Sequence, residues 1–179
     1  MKIRFPTLDD CAQIAEIQVD SYRSAYASML PAEYLANFTY EEQEQDWRNL
    51  LSDENRDILL VAEIGNGILA GYALGCPGVI LEYALESELV ALHVRKSHHR
   101  QGVGQRLIAA MAAELHRHGC ISMLLWTLEG NSARQMYEKL GGVLVGKKPW
   151  DGNQDFGLEV YEVAYGWPDI TKLLPAEKT

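Results

Sequence analysis

Between an apolar run at 89–94 and a helix-periodic run ending near Gly119 lies Arg95-Lys96-Ser97-His98-His99-Arg100-Gln101-Gly102-Val103-Gly104-Gln105-Arg106. A chain with this order has to make a strand, a tight glycine turn and a helix in succession. The glycines let backbone approach a ligand closely, the first N–H groups of the helix lack partners within it, and its dipole favours negative charge. The protein has a formal charge of −9, yet residues 89 to 113 contain no Asp or Glu. The same window holds Arg95, Lys96, Arg100 and Arg106, with His93, His98 and His99 beside them. Such a basic patch in an acidic chain is expected to bind a phosphorylated small molecule.

A Gly-x-Gly turn alone also fits a plain strand-to-helix connection. Two nucleotide motifs fail here. No Gly-x-x-x-x-Gly-Lys-Ser/Thr is present, which argues against a P-loop NTPase. The dinucleotide fingerprint lacks its third glycine, because Ala109 and Ala110 lie too far along. About thirty residues downstream, Ile121-Ser122-Met123-Leu124-Leu125-Trp126-Thr127-Leu128 reads as a buried-type strand. Glu129-Gly130-Asn131 then makes a turn, and Ser132-Ala133-Arg134-Gln135-Met136-Tyr137-Glu138-Lys139-Leu140 a short helix stopped by Gly141-Gly142.

The two halves together resemble the acyl-CoA site of the GNAT superfamily of N-acyltransferases. The first is similar to that family's Arg/Gln-x-x-Gly-x-Gly/Ala loop, the second to its strand–Asn–Ala–Tyr-Glu-Lys-Leu-Gly segment. The likeness extends to Ile3-Arg4 with Thr7, Asp9 and Asp10, and to the aromatic stretch Ser21, Tyr22, Ala25 and Tyr26. It implies acetyl-CoA as co-substrate, with no metal. Residues 99 to 105 (His99, Arg100, Gln101, Gly102, Val103, Gly104, Gln105) would bind its pyrophosphate through backbone amides. The strand around Leu92, His93 and Val94 would pair with the pantetheine arm, and the Val94 N–H would serve the oxyanion. Asn131, locally a helix N-cap, would also bond the arm. In one respect the chain departs from the pattern: three positions before Gly102 it has His99 where the family shows Gln or Arg.

Acyl transfer from a thioester needs a neutral amine and a proton for the departing thiolate, and a free lysine-type amine has a pKa of about 10.4. Glu88 matches the position where some family members place a general-base glutamate; it also reads as a strand-end carboxylate. Glu82 and Glu86 are weaker candidates acting through water. Tyr137 matches the family's general acid, although it also falls in the apolar stripe of Ala133, Met136 and Leu140. The resemblance thus implies transfer of an acetyl group to a primary amine by direct attack. An alternative is a catalytically silent acyl-CoA-binding or sensory domain. The acceptor is either a small-molecule amine or a protein amino group, and the family's habit suggests a homodimer.

At 179 residues with 47 % hydrophobic residues, one domain with a proper core is expected. Net acidity argues against nucleic acid as partner. No apolar stretch approaches the ~18 residues that span a bilayer, and no h-region follows Lys2 and Arg4. The odd count of Cys11, Cys76 and Cys120 reads as buried free thiols of a cytoplasmic protein. His93, His98, His99, His116 and His118 read as loop or surface residues, not metal ligands. Trp47, Tyr22 and Tyr26 read as core or cleft-wall aromatics.

Along the chain, a short strand at 2–5 precedes a capping box at Thr7 and Asp10 and a helix whose buried stripe is Leu8, Cys11, Ala12, Ala15 and Val19. Helices are expected at 32–37 and 40–51. Strands follow at 58–64 and 68–74 around Gly65-Asn66-Gly67, the second broken by Cys76-Pro77-Gly78. Beyond the strand at 88–94, the helix after the loop buries Val103, Leu107, Ile108, Met111 and Leu115. A strand at 121–127, a helix at 132–140, and strands at 143–147 and 158–165, linked through Gly152-Asn153, complete the order. A meander followed by alternation implies an α/β (α+β) fold with a mixed sheet that is not doubly wound; the resemblance makes it mostly antiparallel, with flanking helices. The domain is expected to span 1–170, with a polar tail at 171–179.

Overall fold

The computed structural model describes residues 1–53 and 57–174. Its strands are β1 (Lys2–Arg4), β2 (Ile58–Gly65), β3 (Ile68–Ile80), β4 (Leu85–Val94), β5 (Met123–Leu128), β6 (Val143–Pro149) and β7 (Tyr161–Trp167). They form one mixed sheet in the order β1-β2-β3-β4-β5-β7-β6. Every neighbouring pair is antiparallel except β4 and β5, as expected for this fold. The helices are α1 (Cys11–Ala25), α2 (Ala32–Ala36), α3 (Tyr40–Ser52), α4 (Val103–Arg117), α5 (Arg134–Lys139) and α6 (Asn153–Phe156). Among the described residues, no helix is long and apolar enough to cross a membrane.

One sheet face is covered by α4, whose expected stripe of Val103, Leu107, Ile108, Met111 and Leu115 is buried against β2, β3, β5 and β7. The other face is covered over its first half by α1 and α3, around Leu59, Val61, Leu69 and Tyr72. Packing reaches Leu173 and Leu174, past the boundary expected at residue 170; residues 175–179 of the expected tail lie outside the described residues.

Several expectations shift. The buried stripe of α1 is Cys11, Ile14, Ala15, Ile17 and Val19, while Leu8 and Ala12 are exposed. Leu8 sits in a preceding 3-10 turn, Leu8–Asp10, so it does not share the helical phase of α1. Cys76-Pro77-Gly78 does not break β3: Cys76 pairs with Glu88 and Pro77 with Ser87 on β4. Pairing with β2 ends at Ile58 opposite Gly75, so the missing N–H of Pro77 deserts no ladder partner there. The 152–153 link forms the single turn α6, and α5 starts at Arg134, two residues later than expected.

The capping box at Thr7 takes part in a larger tie. Asp10, 5 % exposed, accepts the Thr7 N–H at 2.7 Å and both terminal nitrogens of Arg4 at 2.7 and 2.9 Å. Arg4 also donates to Glu63 on β2 at 2.6 Å. The Arg4 guanidinium holds the Asp10 carboxyl below its ordinary value, chiefly through these hydrogen bonds. A depressed folded-state pKa stabilises the fold above the unfolded value and loses that stabilisation as pH falls through the folded one. Asp10→Asn is therefore expected to cost about 1–3 kcal/mol at neutral pH. Urea titrations of the two proteins should converge in strongly acidic buffer.

Candidate active site

Past Glu88, β4 and β5 separate. Glu88 opposite Leu124 is their paired position, and the edge of β4 from Leu89 to Val94 faces a gap. A bulge widens it: Leu89 pairs with Gly75 and Ala91 with Leu74, leaving Val90 without a partner on β3. Such a bulge bends a strand and resets which edge its groups face. Beyond it the Arg95 N–H bonds the Ala70 carbonyl at 2.8 Å. Ladder bonds alternate along an antiparallel strand, so the backbone of Leu92 and Val94 turns to the open side. The expected pairing edge therefore exists, with one change: the His99 ring nitrogen Nε2 lies 2.9 Å from the Val94 carbonyl oxygen. The residue that departs from the family pattern thus occupies that carbonyl and leaves the Val94 N–H free for a ligand.

The loop after β4 has backbone of the kind that can cradle an anion. Arg100 and Gly102 both take left-handed backbone, with φ of 59° and 77°, and Gln101 between them does not. Alternation of this kind turns successive N–H groups toward one point. Gly102 is the N-cap of α4 and supplies no side chain, so the N–H groups of Val103, Gly104 and Gln105 remain available. No Cβ neighbour lies within 4 Å of Gly102, whereas a Cβ on Gly104 would meet Met136 Sδ at 3.2 Å and Val94 Cγ2 at 3.8 Å. Gly104 therefore lets α4, α5 and β4 close together. Of the basic residues, Arg95 is committed to the protein, bonding the Leu69 carbonyl at 2.9 Å and Glu16 at 2.8 Å. Gln101 folds back onto the Ser97 carbonyl at 3.0 Å. Arg100 and Arg106 make no ion pair among the described residues.

A cleft of about 320 Å³ runs through the gap, and Glu88, Leu92, His93, Asn131 and Tyr137 line it with Tyr22 and Tyr26. The loop from His99 to Gln105 lies outside that lining, at the α4 end of the gap. Asn131 Oδ1 accepts the Ala133 N–H at 2.9 Å and its Nδ2 donates to Thr127 Oγ1 at 2.8 Å, fixing the turn before α5. The Tyr26 hydroxyl lies beside the same two side chains.

Tyr137 is 4 % exposed and packs at 5.8 Å from the Tyr165 ring, on the α4 side of the sheet. Burial pushes its phenol well above the ordinary range, and its hydroxyl has no hydrogen-bond partner among the described residues. Glu88 stands on the opposite face. Burial raises its carboxyl and Glu162 adds to the rise, with Lys148 opposing. A protonated phenol on one side of the gap and a carboxylate of enhanced basicity on the other can exchange protons with a group held between them.

Other candidates fall away from the cleft or change character. Glu86 accepts the Ile121 N–H at 2.7 Å, and neither it nor Glu82 lines the cleft. His93 is no loop histidine: it lies on β4, its ring 5.4 Å from Tyr22 and 5.3 Å from Tyr72, and burial pulls its pKa down to about 4. It is a neutral wall residue at physiological pH. Trp47 is a core residue, donating to Gln18 at 2.7 Å. Cys11 and Cys120 are buried free thiols, and Cys76 is half-buried. Among the described residues, no group of three or more His, Cys, Asp or Glu could hold a metal. Sequence reasoning does not find Trp126, Lys148, Trp150, Asp151 and Glu162, which also line the cleft. Strand pairing across β5, β7 and β6 brings Trp126, Lys148 and Glu162 in, Trp150 and Asp151 follow directly after β6, and no local motif marks them.

A family model described as FR47-like protein matches residues 76–150. An uncharacterized N-acetyltransferase of Bacillus subtilis (strain 168), YuaI, is 30 % identical over 171 residues, covering 96 % of this chain and 95 % of its own. Among solved structures, the PaiA N-acetyltransferase of Thermoplasma acidophilum in complex with coenzyme A superposes with a TM-score of 0.70 at 17 % identity, covering 93 % of this chain and 98 % of that one. The putative acetyltransferase YncA of Salmonella typhimurium, with its cofactor acetyl-CoA, gives 0.62 at 23 % identity over 93 % and 92 %. With a split β4–β5 pair, a glycine cradle at the head of α4, and a relative alike over nearly its full length, the chain belongs to the GNAT superfamily of N-acetyltransferases.

Proposed function

We propose that the protein transfers an acetyl group from acetyl-CoA to a primary amine by direct attack. The observation that carries this reading is the placement of Glu88 and Tyr137 in one cleft, on opposite faces of the split sheet. The N–H groups of residues 99–105 hold the pyrophosphate, and the open edge at Leu92 and Val94 pairs with the pantetheine arm that runs into the gap. The acceptor approaches from the Glu88 side. Glu88, directly or through one water, takes a proton from the ammonium, and the neutral amine attacks the thioester carbonyl. The Val94 N–H stabilises the tetrahedral oxyanion. Glu88 then passes its proton to solvent; on collapse the C–S bond breaks, the Tyr137 phenol protonates the thiolate, Glu88 takes the excess amine proton, and the phenolate regains a proton from water. The products are the amide and free CoA. Burial that keeps the phenol protonated suits it to the acid role.

The direct test is CoA release from acetyl-CoA with a panel of primary amines. Within it, Glu88→Gln is expected to lose about a hundredfold in rate near neutral pH. The loss should shrink in alkaline buffer, where the amine deprotonates unaided. The wild-type acid limb should lie above the usual carboxylate range, since burial and Glu162 both raise the Glu88 carboxyl, and it should vanish in the variant. Equal rates for both proteins across the pH range would leave Glu88 a strand-end carboxylate. Binding of acetyl-CoA with no turnover on any amine would favour a silent binding domain.

A further inference from the structure

The acceptor side of the cleft already holds an ammonium ion belonging to the protein. Lys148 Nζ lies 4.7 Å from the centroid of the Trp126 ring and 3.4 Å from Glu162 Oε2. Register fixes why these groups meet. Lys148 pairs with Glu162, Glu162 with Leu128, and Trp126 with Ala164 two residues along from Glu162. Side chains two apart on a strand, and those directly opposite across a pair, share a face. Leu124, two before Trp126, is opposite Glu88. Glu88, Trp126, Glu162 and Lys148 therefore stand on one face, beyond the half that α1 and α3 cover.

A primary ammonium over an indole face and beside a carboxylate has two of the favourable interactions open to such a cation. Lys148 reaches this place on a flexible stem with its side chain still 45 % exposed, so it can swing out to solvent. Three carboxylates, Glu88, Asp151 and Glu162, line the cleft together with Lys148. A singly charged acceptor would satisfy Glu88 and leave the Trp126–Glu162 position to Lys148.

We propose that the acceptor is a linear diamine or longer polyamine whose reactive amino group lies at Glu88. Its second ammonium displaces Lys148 from the Trp126 ring and Glu162. This rests on the acetyltransferase reading above and narrows its substrate. Trp126 stands one strand across and two residues along from the Glu88–Leu124 pair, which at paired-strand spacing is about 8 Å; β4 and β5 diverge past that pair, so a spacer of about four to six methylenes is the shortest that reaches.

Turnover and binding are measured separately. CoA release is followed with butylamine, 1,4-diaminobutane, hexylamine and 1,6-diaminohexane. Calorimetry of 1,6-diaminohexane into protein saturated with CoA reads the second site without chemistry. The expected result is a kcat/KM for each diamine several-fold above its matched monoamine, short of the roughly tenfold of one full charge-assisted contact because Lys148 gives up the same contact. Glu162→Gln should raise KM for the diamines by a similar factor and shift the monoamine KM by less than about twofold; the fall in Glu88 basicity that it also brings acts on kcat, and on both kinds of amine alike. Lys148→Ala should lower the diamine KM, because the competing ammonium is gone. Matched amines turned over at equal kcat/KM, or a Glu162→Gln rise in KM equal for both kinds, overturn the proposal while leaving the acetyltransferase reading intact. Diamine binding that Glu162→Gln weakens, with no CoA release from any amine, supports the cation site and refutes the transfer reading.

Discussion

Tyr137→Phe is expected to lower kcat by about tenfold to a thousandfold, the range open to a lost proton donor. Acetyl-CoA affinity and thermal stability should stay near wild type. The separation follows from the packing. The ring fills space against Tyr165 at 5.8 Å and Trp167 at 6.3 Å, and phenylalanine keeps that ring. The hydroxyl bonds nothing among the described residues, so removing it leaves no buried partner unsatisfied. A structural hydroxyl would behave differently. That of Tyr165 donates to Glu138 at 2.6 Å and accepts from Arg134 at 2.9 Å, so its loss would strand two groups and lower the melting temperature. Stopped-flow and steady-state rates, set beside calorimetric melting of Tyr137→Phe, separate the cases. An unchanged kcat with a lower melting temperature makes Tyr137 a core residue. If neither quantity moves, α5 does not face the thioester, and the proposed division of acid and base across the gap fails.

Local chemistry makes much of this legible in the amino-acid order itself. Five positions of the stripe on α4 can be read because they are apolar, repeat at helical spacing and all meet the sheet; Ala112, buried beside them, is too small to stand out. The Gly65-Asn66-Gly67 hairpin follows from residues that tolerate positive φ, and Asn66 and Gly67 both adopt it. The glycine loop is visible for the same reason, whereas the left-handed Arg100 is not, since arginine carries no such signature. Features set by tertiary pairing are out of reach. The Val90 bulge depends on the register of β3 against β4, and nothing about a valine in an apolar run announces it. Pro77 reads as a strand breaker, yet its lack of an N–H matters only where a neighbour needs one, and β2 stops short of it. The cation site shows the limit most plainly. Trp126, Lys148 and Glu162 come from three strands joined in the order β5-β7-β6, so their sequence separations carry no motif.

The cofactor end of the site yields the other large effect. Gly102→Val is expected to reduce acetyl-CoA binding below detection by calorimetry while far-UV circular dichroism stays unchanged. At φ 77° and ψ 6° the residue is left-handed, a region that costs a side-chain-bearing residue about 1–2 kcal/mol and a β-branched one more. A Cβ there meets no protein atom within 4 Å, so the core is not disturbed and the fold survives. The residue is the N-cap that immediately precedes the free N–H groups of Val103, Gly104 and Gln105, so strain that shifts its backbone misplaces them. Gly104→Val acts by another route, pressing on Met136 and hence on the helix that carries Tyr137. It should lower kcat as well as affinity. Wild-type binding should weaken as salt rises, because phosphate charge is being met by a basic window that includes Arg100 and Arg106. Gly102→Ala, smaller and unbranched, should fall between the two extremes. Wild-type affinity in Gly102→Val, in protein shown to be folded, would place the pyrophosphate somewhere other than the head of α4. The strained turn at Arg100 and Gly102 would then serve only to join β4 to the helix.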